Sequence, residues 1–260
     1  MTEIVSDVPQ TKTESARDRF LARVRPETGA GGFARDDGSV AFFTRVNALL
    51  RPDMTVIDLG AGRGVSLLGP ETYARRLFAL QGKVEKVIGI DVDDAVAEHP
   101  RLDEWHVVPI GQPYPVADAS VDLIVANWVL EHVADPLDFV SEVYRVLKPG
   151  GWFCARTPNR WSYVGIAANL VPNQLHTGVM SRLWPERADQ DVFPTVYRMN
   201  TMGALRRAFP GDRWHNLSYT ANPTPKYHGN KALLFGLVGL YQTLMPPMLR
   251  TDMMVFMQKR

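Results

Sequence analysis

The chain has 260 residues, of which 45% are hydrophobic and 22% are charged, a composition typical of a globular protein. Its 29 basic and 28 acidic residues give a formal net charge of +1, so no basic excess favours nucleic acid as a partner. The single cysteine, Cys154, excludes an internal disulfide and a thiolate metal cluster. Cys154 stands in an apolar run, which predicts a small buried side chain rather than a nucleophile.

The amino-terminal segment is polar. Residues 1–20 lack the apolar stretch that a secretory signal needs, so we expect a cytoplasmic protein with a flexible leader. Residues 21–260 are then expected to form a single domain. The longest apolar stretch, residues 232–249, contains two adjacent prolines and is shorter than the roughly 20 residues that a membrane-spanning helix requires.

The first half of the chain predicts one strand-helix-strand unit. A glycine-rich loop at residues 29–40 precedes a helix at residues 41–50, whose apolar residues recur at helical spacing. A strand at 54–60, a helix at 71–80 and a strand at 86–92 follow. This βαβ arrangement implies a parallel sheet with a right-handed crossover.

The second half of the chain continues the alternation of strands and helices. Asp135 is expected to cap a helix whose first residue is Pro136, because both residue types are favoured at those positions. The further elements are a strand at 120–127, a helix at 135–151, a strand at 151–157 and a helix at 201–209. The sequence therefore predicts an α/β fold with a doubly wound sheet.

A glycine turn follows the first strand, in the stretch VIDLGAGRG. Gly60, Gly62 and Gly64 allow the backbone to turn tightly and a ligand to approach without meeting a Cβ. A dinucleotide site would have a third glycine where this chain has Val65. Asp58 would also sit badly beside a pyrophosphate but well beside an ammonium group. The turn therefore favours a cationic ligand with an amino acid head, and disfavours an NAD-dependent oxidoreductase.

Four stretches resemble the ordered motifs of class I S-adenosylmethionine-dependent methyltransferases: VIDLGAGRG, VIGIDVDD, ADASVDLIVANWVLEHVADP and RVLKPGGWFCARTPN. The resemblance covers roughly residues 40–160 well. It implies a Rossmann-like sheet of seven strands, mostly parallel, with a C-terminal antiparallel hairpin formed by residues 213–221 and 252–260.

The resemblance also implies which residues hold S-adenosylmethionine and, after the reaction, S-adenosyl-L-homocysteine. Asp58 and the turn would hold the methionine portion, and the Asp91 carboxylate, which only accepts hydrogen bonds, would bridge both ribose hydroxyls. Gln112 stands where many relatives carry an acid for the adenine amino group. The implied cofactor residues are Asp58, Gly60, Ala61, Gly62, Gly64, Asp91, Val92 against the adenine, Gln112, and Asn127 and Trp128 near the sulfonium.

His132 is the first candidate for a catalytic base, and His176 is the second. The pKa of an imidazole lies near neutrality, which suits proton abstraction from an acceptor. His132 is equally suited to tie its turn to the next loop. Some relatives bind a divalent cation through an acid placed three residues before a Glu-His pair. Trp128 takes the place of that acid here, so we expect no metal, although Glu131, His132 and the distant His176 could still form a site.

The acceptor is expected to contact two segments, residues 29–50 and 157–200. Both are rich in aromatic and polar side chains, as the linings of small-molecule pockets are. The segment 29–50 is expected to form a lid over the cofactor with Phe33, Arg35, Phe42 and Phe43. The substrate-binding candidates are Phe42, Asn159, Arg160, Tyr163 and Tyr197. We therefore expect methyl transfer to a small-molecule or glycan-like acceptor, with an oxygen rather than a nitrogen or carbon as the target atom. The alternative is an inactive binding or scaffold module.

The apolar insert at residues 232–249 is expected to pack on the sheet or to form a homodimer contact. An interfacial helix that meets a lipid-linked acceptor at a membrane surface is the alternative. The stretch lacks the basic face that such helices favour.

Overall fold

The computed structural model describes residues 16–163, 165–166, 194–225 and 230–260. Its helices are α1 (Ala16–Val24), α2 (Gly38–Leu49), α3 (Tyr73–Phe78), α4 (Pro136–Val146), α5 (Met202–Ala208) and α6 (Ala232–Leu244). Its strands are β1 (Thr55–Leu59), β2 (Lys86–Asp91), β3 (Glu104–Val107), β4 (Val121–Asn127), β5 (Leu147–Pro158), β6 (Trp214–Asn216), β7 (Tyr219–Ala221) and β8 (Asp252–Lys259).

The strands form one sheet in the order β3-β2-β1-β4-β5-β8-β6, with β7 also paired to β8. The pairs from β3 to β5 are parallel, and β8 runs antiparallel to β5, β6 and β7. The predicted α/β class and the antiparallel carboxyl-terminal strands are confirmed.

Within the described ranges the sheet has eight strands rather than seven, because the strand predicted at 213–221 is interrupted. Asn216 lies opposite Met257 and Tyr219 lies opposite Met254, so β6 and β7 keep one register along β8. Between them the Ser218 hydroxyl accepts the Phe256 N–H at 3.1 Å, where a continuous ladder would use a backbone carbonyl. A side chain that replaces one backbone acceptor thus divides the strand in two.

Helices cover both faces of the sheet. On one face, Ile57 and Leu59 of β1 join a core with residues of α4 and α5. On the other face, Val56 joins a core with residues of α2 and α3. Successive residues of a strand point to opposite faces, so this division follows from the alternation along β1. The doubly wound arrangement is therefore confirmed.

The helix predicted at 135–151 begins as expected and ends earlier. The Asp135 carboxylate accepts the N–H groups of Leu137 and Asp138 at 3.0 and 3.1 Å, which caps α4. The helix ends at Val146, and the following residues already belong to β5, with Gly150 at a φ of +78°. Residues 148–151, which were expected to close the helix, lie within β5 because the strand pairing already begins at Leu147.

Two terminal elements pack against each other. Residues 16–20, expected to belong to a leader, form the first part of α1, and residues 1–15 lie outside the described part of the chain. The Phe20 ring is buried and meets the Phe235 ring of α6 edge to face at 5.7 Å. Otherwise α6 buries only Gln242, so of the two expectations for this insert, packing on the sheet is not observed and the homodimer contact stays a prediction. Within the described ranges, the helices are too short or too polar to cross a membrane.

Candidate functional site

The carboxyl ends of β2, β1 and β4 lie side by side at one edge of the sheet. β1 is hydrogen-bonded to β2 on one side and to β4 on the other, although β4 comes later in the chain than β3. The connections therefore leave in opposite directions at β1. In doubly wound folds a crevice opens at such a switch point, and ligands bind there.

The glycine turn after β1 needs glycine for packing at two positions. Gly60 has a φ of +71°, and a Cβ there would lie 2.4 Å from Cγ2 of Val129. Gly64 has a φ of +62°, and its Cβ would lie 2.5 Å from Cδ2 of His99. Both distances are too short for a Cβ, so the side chains packed against the two ends of the turn leave room for glycine only.

Gly62, in the middle of the turn, is different. Its φ is +51°, yet nothing lies within 4 Å of the position that a Cβ would occupy. Its N–H donates to Oδ2 of Asp91 at 2.8 Å. The backbone is therefore held rigidly and faces open space at the point where a ligand is expected to approach.

Asp91 ends β2 and links it to this turn. Its Oδ2 accepts the Gly62 N–H, and its Oδ1 accepts the Asp93 N–H at 3.0 Å. Each carboxylate oxygen has two lone pairs, so both oxygens keep the capacity to accept another donor. The carboxylate is thus oriented by the backbone and suited to a diol. Val92, the next residue, is exposed, as a surface offered to a flat ring would be.

Asp58 lies below the turn, and its carboxylate has no hydrogen bond within the described residues. Burial and, second, the neighbouring Asp91 carboxylate raise the pKa of Asp58 to about 7. An ionised Asp58 is therefore costly until a cation lies beside it. The amide oxygen of Asn127, at the end of β4, is buried and also lacks a donor in the described chain. Buried acceptors are normally paired, so these two groups fit a ligand that carries an ammonium group.

Trp128 follows β4 in an unusual conformation. Its φ is +62°, and its N–H donates to the Arg156 carbonyl at 2.8 Å. The Arg156 guanidinium lies 4.8 Å from the centre of the indole ring, within the range of a cation–π contact. One face of the ring is therefore covered by Arg156.

Arg156 is itself buried and held from two elements. Its Nε donates to Oδ2 of Asp252 in β8 at 2.8 Å, and its Nη1 donates to the Ser39 hydroxyl of α2 at 2.6 Å. Arg156 and Asp252 were not predicted from the sequence. The available signal was that each is a lone charge next to an apolar run and that the two charges are opposite.

His132 lies in the short helical turn Leu130–His132. Its Nδ1 is 3.0 Å from the Pro194 carbonyl oxygen. A carbonyl only accepts, so in the neutral ring Nδ1 carries the proton and Nε2 carries the lone pair. This tautomer is the one that a base acting through Nε2 needs. The same contact also ties the turn to the next described segment, as the alternative interpretation requires.

A network of buried hydrogen bonds lies next to His132, and two of its residues were not predicted from the sequence. The Asn200 amide donates to the Thr157 hydroxyl at 2.6 Å, and Thr157 donates to the Glu131 carboxylate at 2.8 Å. The Glu131 carbonyl also accepts the N–H of Tyr197 at 3.1 Å. This network joins the turn that carries His132 to the end of β5 and to the start of α5. Polar residues at the ends of predicted strands were the available signal.

Phe42 does not belong to a lid. Its side chain is fully buried, and its ring lies 5.1 Å from that of Phe43 and 5.7 Å from that of Phe256 in β8. The prediction of a substrate contact was wrong because α2 packs its aromatic face onto the sheet.

Asn159, another predicted substrate-binding residue, holds backbone instead. Its amide nitrogen donates to the Met248 and Arg250 carbonyls at 2.8 Å each, and its oxygen accepts the Trp161 N–H at 3.1 Å. The side chain is buried, and both of its N–H donors hold backbone carbonyls. The prediction was wrong because a loop amide that binds a ligand and one that binds backbone look alike in sequence.

The other acceptor candidates stay predictions. Arg160 is exposed, Tyr163 meets the Tyr241 ring edge to face at 5.6 Å, and Tyr197 has a φ of +51° beside Glu131. Gln112 is exposed at the rim of a depression lined by Trp105, His106 and several prolines. His176 lies outside the described residues.

Comparisons with known proteins agree with this geometry. Residues 57–155 match the family described as "Methyltransferase domain". A Mycolicibacterium smegmatis protein described as "Probable S-adenosylmethionine-dependent methyltransferase" is 43% identical over 113 residues, covering 42% of this chain and 39% of that protein. The ubiquinone biosynthesis O-methyltransferase of Hydrogenovibrio crunogenus is 29% identical over 139 residues, covering 47% of this chain and 54% of the relative. The chain thus spans about half or less of the length of these relatives.

A solved structure shares the fold. The geranyl diphosphate C-methyltransferase of Streptomyces coelicolor A3(2) superposes with a TM-score of 0.52 at 16% identity, covering 96% of this chain and 83% of that one. Residues 57–155 are therefore similar to S-adenosylmethionine-dependent methyltransferases, and the fold is shared with a solved methyltransferase. This similarity indicates an enzyme domain whose cofactor is S-adenosylmethionine.

Proposed function

We propose that the protein transfers the methyl group of S-adenosylmethionine to a hydroxyl group of a small-molecule or glycan-like acceptor. The observation that supports this best is Asp58, which lies below an open glycine turn without a hydrogen-bond partner in the described chain and with a pKa of about 7. A cationic amino acid head would complete this site, whereas a pyrophosphate would be repelled from it.

Each cofactor residue has a distinct part in this proposal. Asp58 accepts from the ammonium group, Asp91 accepts from the ribose hydroxyls, and the exposed Val92 packs on the adenine. The sequence places Asn127 near the sulfonium, and its unpaired buried oxygen suits the ammonium group instead. Bound S-adenosylmethionine supplies an electrophilic methyl group on a sulfonium. The protein then has to align the acceptor with that methyl group, and such positioning contributes about 7–11 kcal/mol in favourable cases.

Oxygen as the target atom rests on His132. An alcohol must lose its proton as the new bond forms, and His132 is the candidate to take it, because the contact of its Nδ1 with the Pro194 carbonyl favours the tautomer in which Nε2 is the basic nitrogen. Among the similar proteins, one is named as an O-methyltransferase and another as a C-methyltransferase, so their names do not choose between these atoms.

Calorimetric titration tests the cofactor part of the proposal. S-Adenosylmethionine and S-adenosylhomocysteine are titrated into the wild type and into Asp91→Asn, with NAD as a ligand control. Asp94→Asn is the matched variant, because Asp94 is an exposed acid three residues away. We expect micromolar binding that weakens at least tenfold in Asp91→Asn alone. If neither S-adenosylmethionine nor S-adenosylhomocysteine binds, the proposal that the protein is an enzyme is overturned and a scaffold module is favoured.

A second experiment tests the base. Candidate acceptors are screened by release of S-adenosylhomocysteine, and His132→Gln is then compared with the wild type. Loss of a general base lowers kcat by about 10²- to 10⁴-fold and leaves the dissociation constant of the cofactor unchanged. If turnover and cofactor affinity fall together, His132 holds the turn in place and does not take the proton.

A further inference from the structure

The helix α6 distributes its apolar side chains differently from an ordinary surface helix. Its buried residues are Phe235 and Gln242, so one of the two inward positions carries a polar side chain. The opposite side exposes large apolar side chains, which we call the α6 face: Leu233, Leu237, Leu240, Leu244 and, after the helix, Met248. Surface helices normally place the apolar stripe inward and polar residues outward.

The α6 face is too apolar to be explained by chance exposure. Single exposed leucines are common, but Leu233 is 79% and Leu244 is 72% exposed at the two ends of one continuous stripe. Residues 232–249 contain no charged side chain. Contiguous apolar patches of this kind mark surfaces that bind a partner or a membrane.

The surroundings of the α6 face are basic. Between Asp212 and Asp252 the chain has no acidic residue. Lys231 is exposed at the amino-terminal end of the helix, and Arg250 follows the carboxyl-terminal turn. The face therefore combines an uncharged apolar centre with positive charge at both ends.

The neighbouring helix α1 adds further positive charge. Phe20 of α1 packs on Phe235 of α6 at 5.7 Å, and the Arg23 guanidinium lies 5.7 Å from the centre of the Phe20 ring. The Arg25 guanidinium lies 5.0 Å from the Phe235 ring and is paired with Asp36. The basic face that the isolated helix lacks is thus supplied partly by a second element.

We propose that the α6 face docks on the surface of an anionic lipid bilayer. Leucine side chains would enter the boundary between headgroups and acyl chains, while Arg23 and Lys231 would lie among negative headgroups. A second copy of the chain fits less well, because a two-fold interface centred on this face would bring the same basic rims towards each other.

The α6 face is connected to the acceptor side of the candidate site. Asn159, directly after β5, binds the carbonyls of Met248 and Arg250 and so fixes the loop after α6 to the carboxyl end of the sheet. Docking would hold this end of the sheet near the headgroups and favour an acceptor that is carried in the membrane. This consequence rests on the proposed function, whereas the docking itself does not.

Vesicle co-sedimentation tests the docking. The full chain is incubated with vesicles of phosphatidylcholine containing 30% phosphatidylglycerol and with vesicles of phosphatidylcholine alone. We expect binding to the anionic vesicles that weakens with salt. The double variant Leu237→Gln/Leu240→Gln should bind at least tenfold more weakly. Leu137→Gln, which changes an exposed leucine on α4, is the matched control and should bind as the wild type does.

The basic residues are tested separately. Lys231→Gln and Arg23→Gln should each weaken binding to anionic vesicles about fivefold, as expected for the loss of one charge near such a surface. Equal binding of the wild type to neutral and anionic vesicles would overturn the anionic assignment. Unchanged binding in the double leucine variant would overturn the assignment of the face.

Two further outcomes would overturn the proposal as a whole. One is a wild type that ignores both vesicles and is dimeric by sedimentation while Leu237→Gln/Leu240→Gln is monomeric, which would assign the face to a second copy. The other is a monomer that ignores both vesicles. Circular dichroism and titration of S-adenosylhomocysteine on the same preparations show whether each variant is folded and whether the cofactor site is intact, so failure of docking and failure of the proposed function are distinguishable.

Discussion

Arg156 and Asp252 form a buried ion pair that joins β5 to β8, with 2.8 Å between Nε and Oδ2 and 2.7 Å between Nη2 and Oδ2. Their side chains are 1% and 2% exposed. The same guanidinium binds Ser39 at the start of α2 and lies against the Trp128 ring beside the cofactor site. One buried cation thus connects the sheet, a helix and the edge of the site.

Removing one partner of this pair should destabilise the protein strongly. Asp252→Ala leaves the Arg156 charge buried without a counter-ion, which costs about 3–5 kcal/mol in the free energy of unfolding. Urea unfolding monitored by circular dichroism measures this difference. Asp53→Ala is the control, because Asp53 is 74% exposed and its pair with Arg51 is solvated, so its loss should cost less than about 1 kcal/mol. Similar small losses in both variants would contradict a structural role for the buried pair.

Gly62 and Gly82 provide a matched test of the glycine turn. Both have a positive φ, +51° and +82°, and neither has an atom within 4 Å of a would-be Cβ. Alanine at either position should therefore lower the free energy of unfolding by about 1–2 kcal/mol, because a residue with a Cβ is strained in the left-handed region. Only Gly62→Ala should weaken S-adenosylhomocysteine binding, by tenfold or more, because its methyl group would enter the space left for the ligand. Equal affinities in the two variants would show that the open side of Gly62 does not face the cofactor.

Cofactor affinity should depend on pH through Asp58. The pKa of Asp58 is raised to about 7, so the group is neutral below that pH and offers no charge to an ammonium group. We expect the affinity for S-adenosylhomocysteine to be constant above pH 7.5 and to fall by up to about tenfold per pH unit below 7. In Asp58→Asn the affinity should be low and nearly flat from pH 5.5 to 8. Titration calorimetry over this range measures both profiles, and a flat wild-type profile would exclude Asp58 as the titrating partner.

The stability of the cofactor-free protein should show the opposite trend. In the unfolded chain the pKa of Asp58 is about 3.9, so between about pH 4 and 7 the folded state binds the extra proton. The contribution of this group to stability therefore falls as the pH rises through that window, and it is constant above about 7. Asp58→Asn removes this cost and should stabilise the free protein at pH 8 by about 1–4 kcal/mol, with a smaller gain at pH 5. Thermal or urea unfolding at both pH values checks this, and a gain that grows towards acid pH would contradict the raised pKa.

The central sheet and the cofactor edge were predictable from sequence because both depend on local signals. Short apolar runs bounded by turn residues locate β1, β2 and β4. In a parallel sheet, residues at the ends of neighbouring strands meet at one edge, and Asp58 and Asp91 stand at the ends of two such strands. The Asp91 carboxylate is close enough to raise the pKa of Asp58.

The acceptor side was less predictable because its side chains have more than one use. An aromatic residue such as Phe42 suits a lid and a core equally, and only the packing of α2 on the sheet assigns it to the core. Asn159 carries the same polar groups whether it holds a substrate or a loop, and here it holds the loop after α6. Thr157 and Asn200 gain their importance only when β5 and the start of α5 come together.

The sequence by itself determined the α/β class, the glycine turn and the acids around it, because periodicity, turn residues and strand ends are written locally along the chain. The tertiary structure alone decided three things that depend on distant segments. It paired Arg156 with Asp252, it committed Phe42 to the core, and it left the apolar side of α6 exposed next to the basic residues of α1. Burial, pKa and the charge around a surface are properties of neighbours in space, and long-range packing determines which residues those neighbours are.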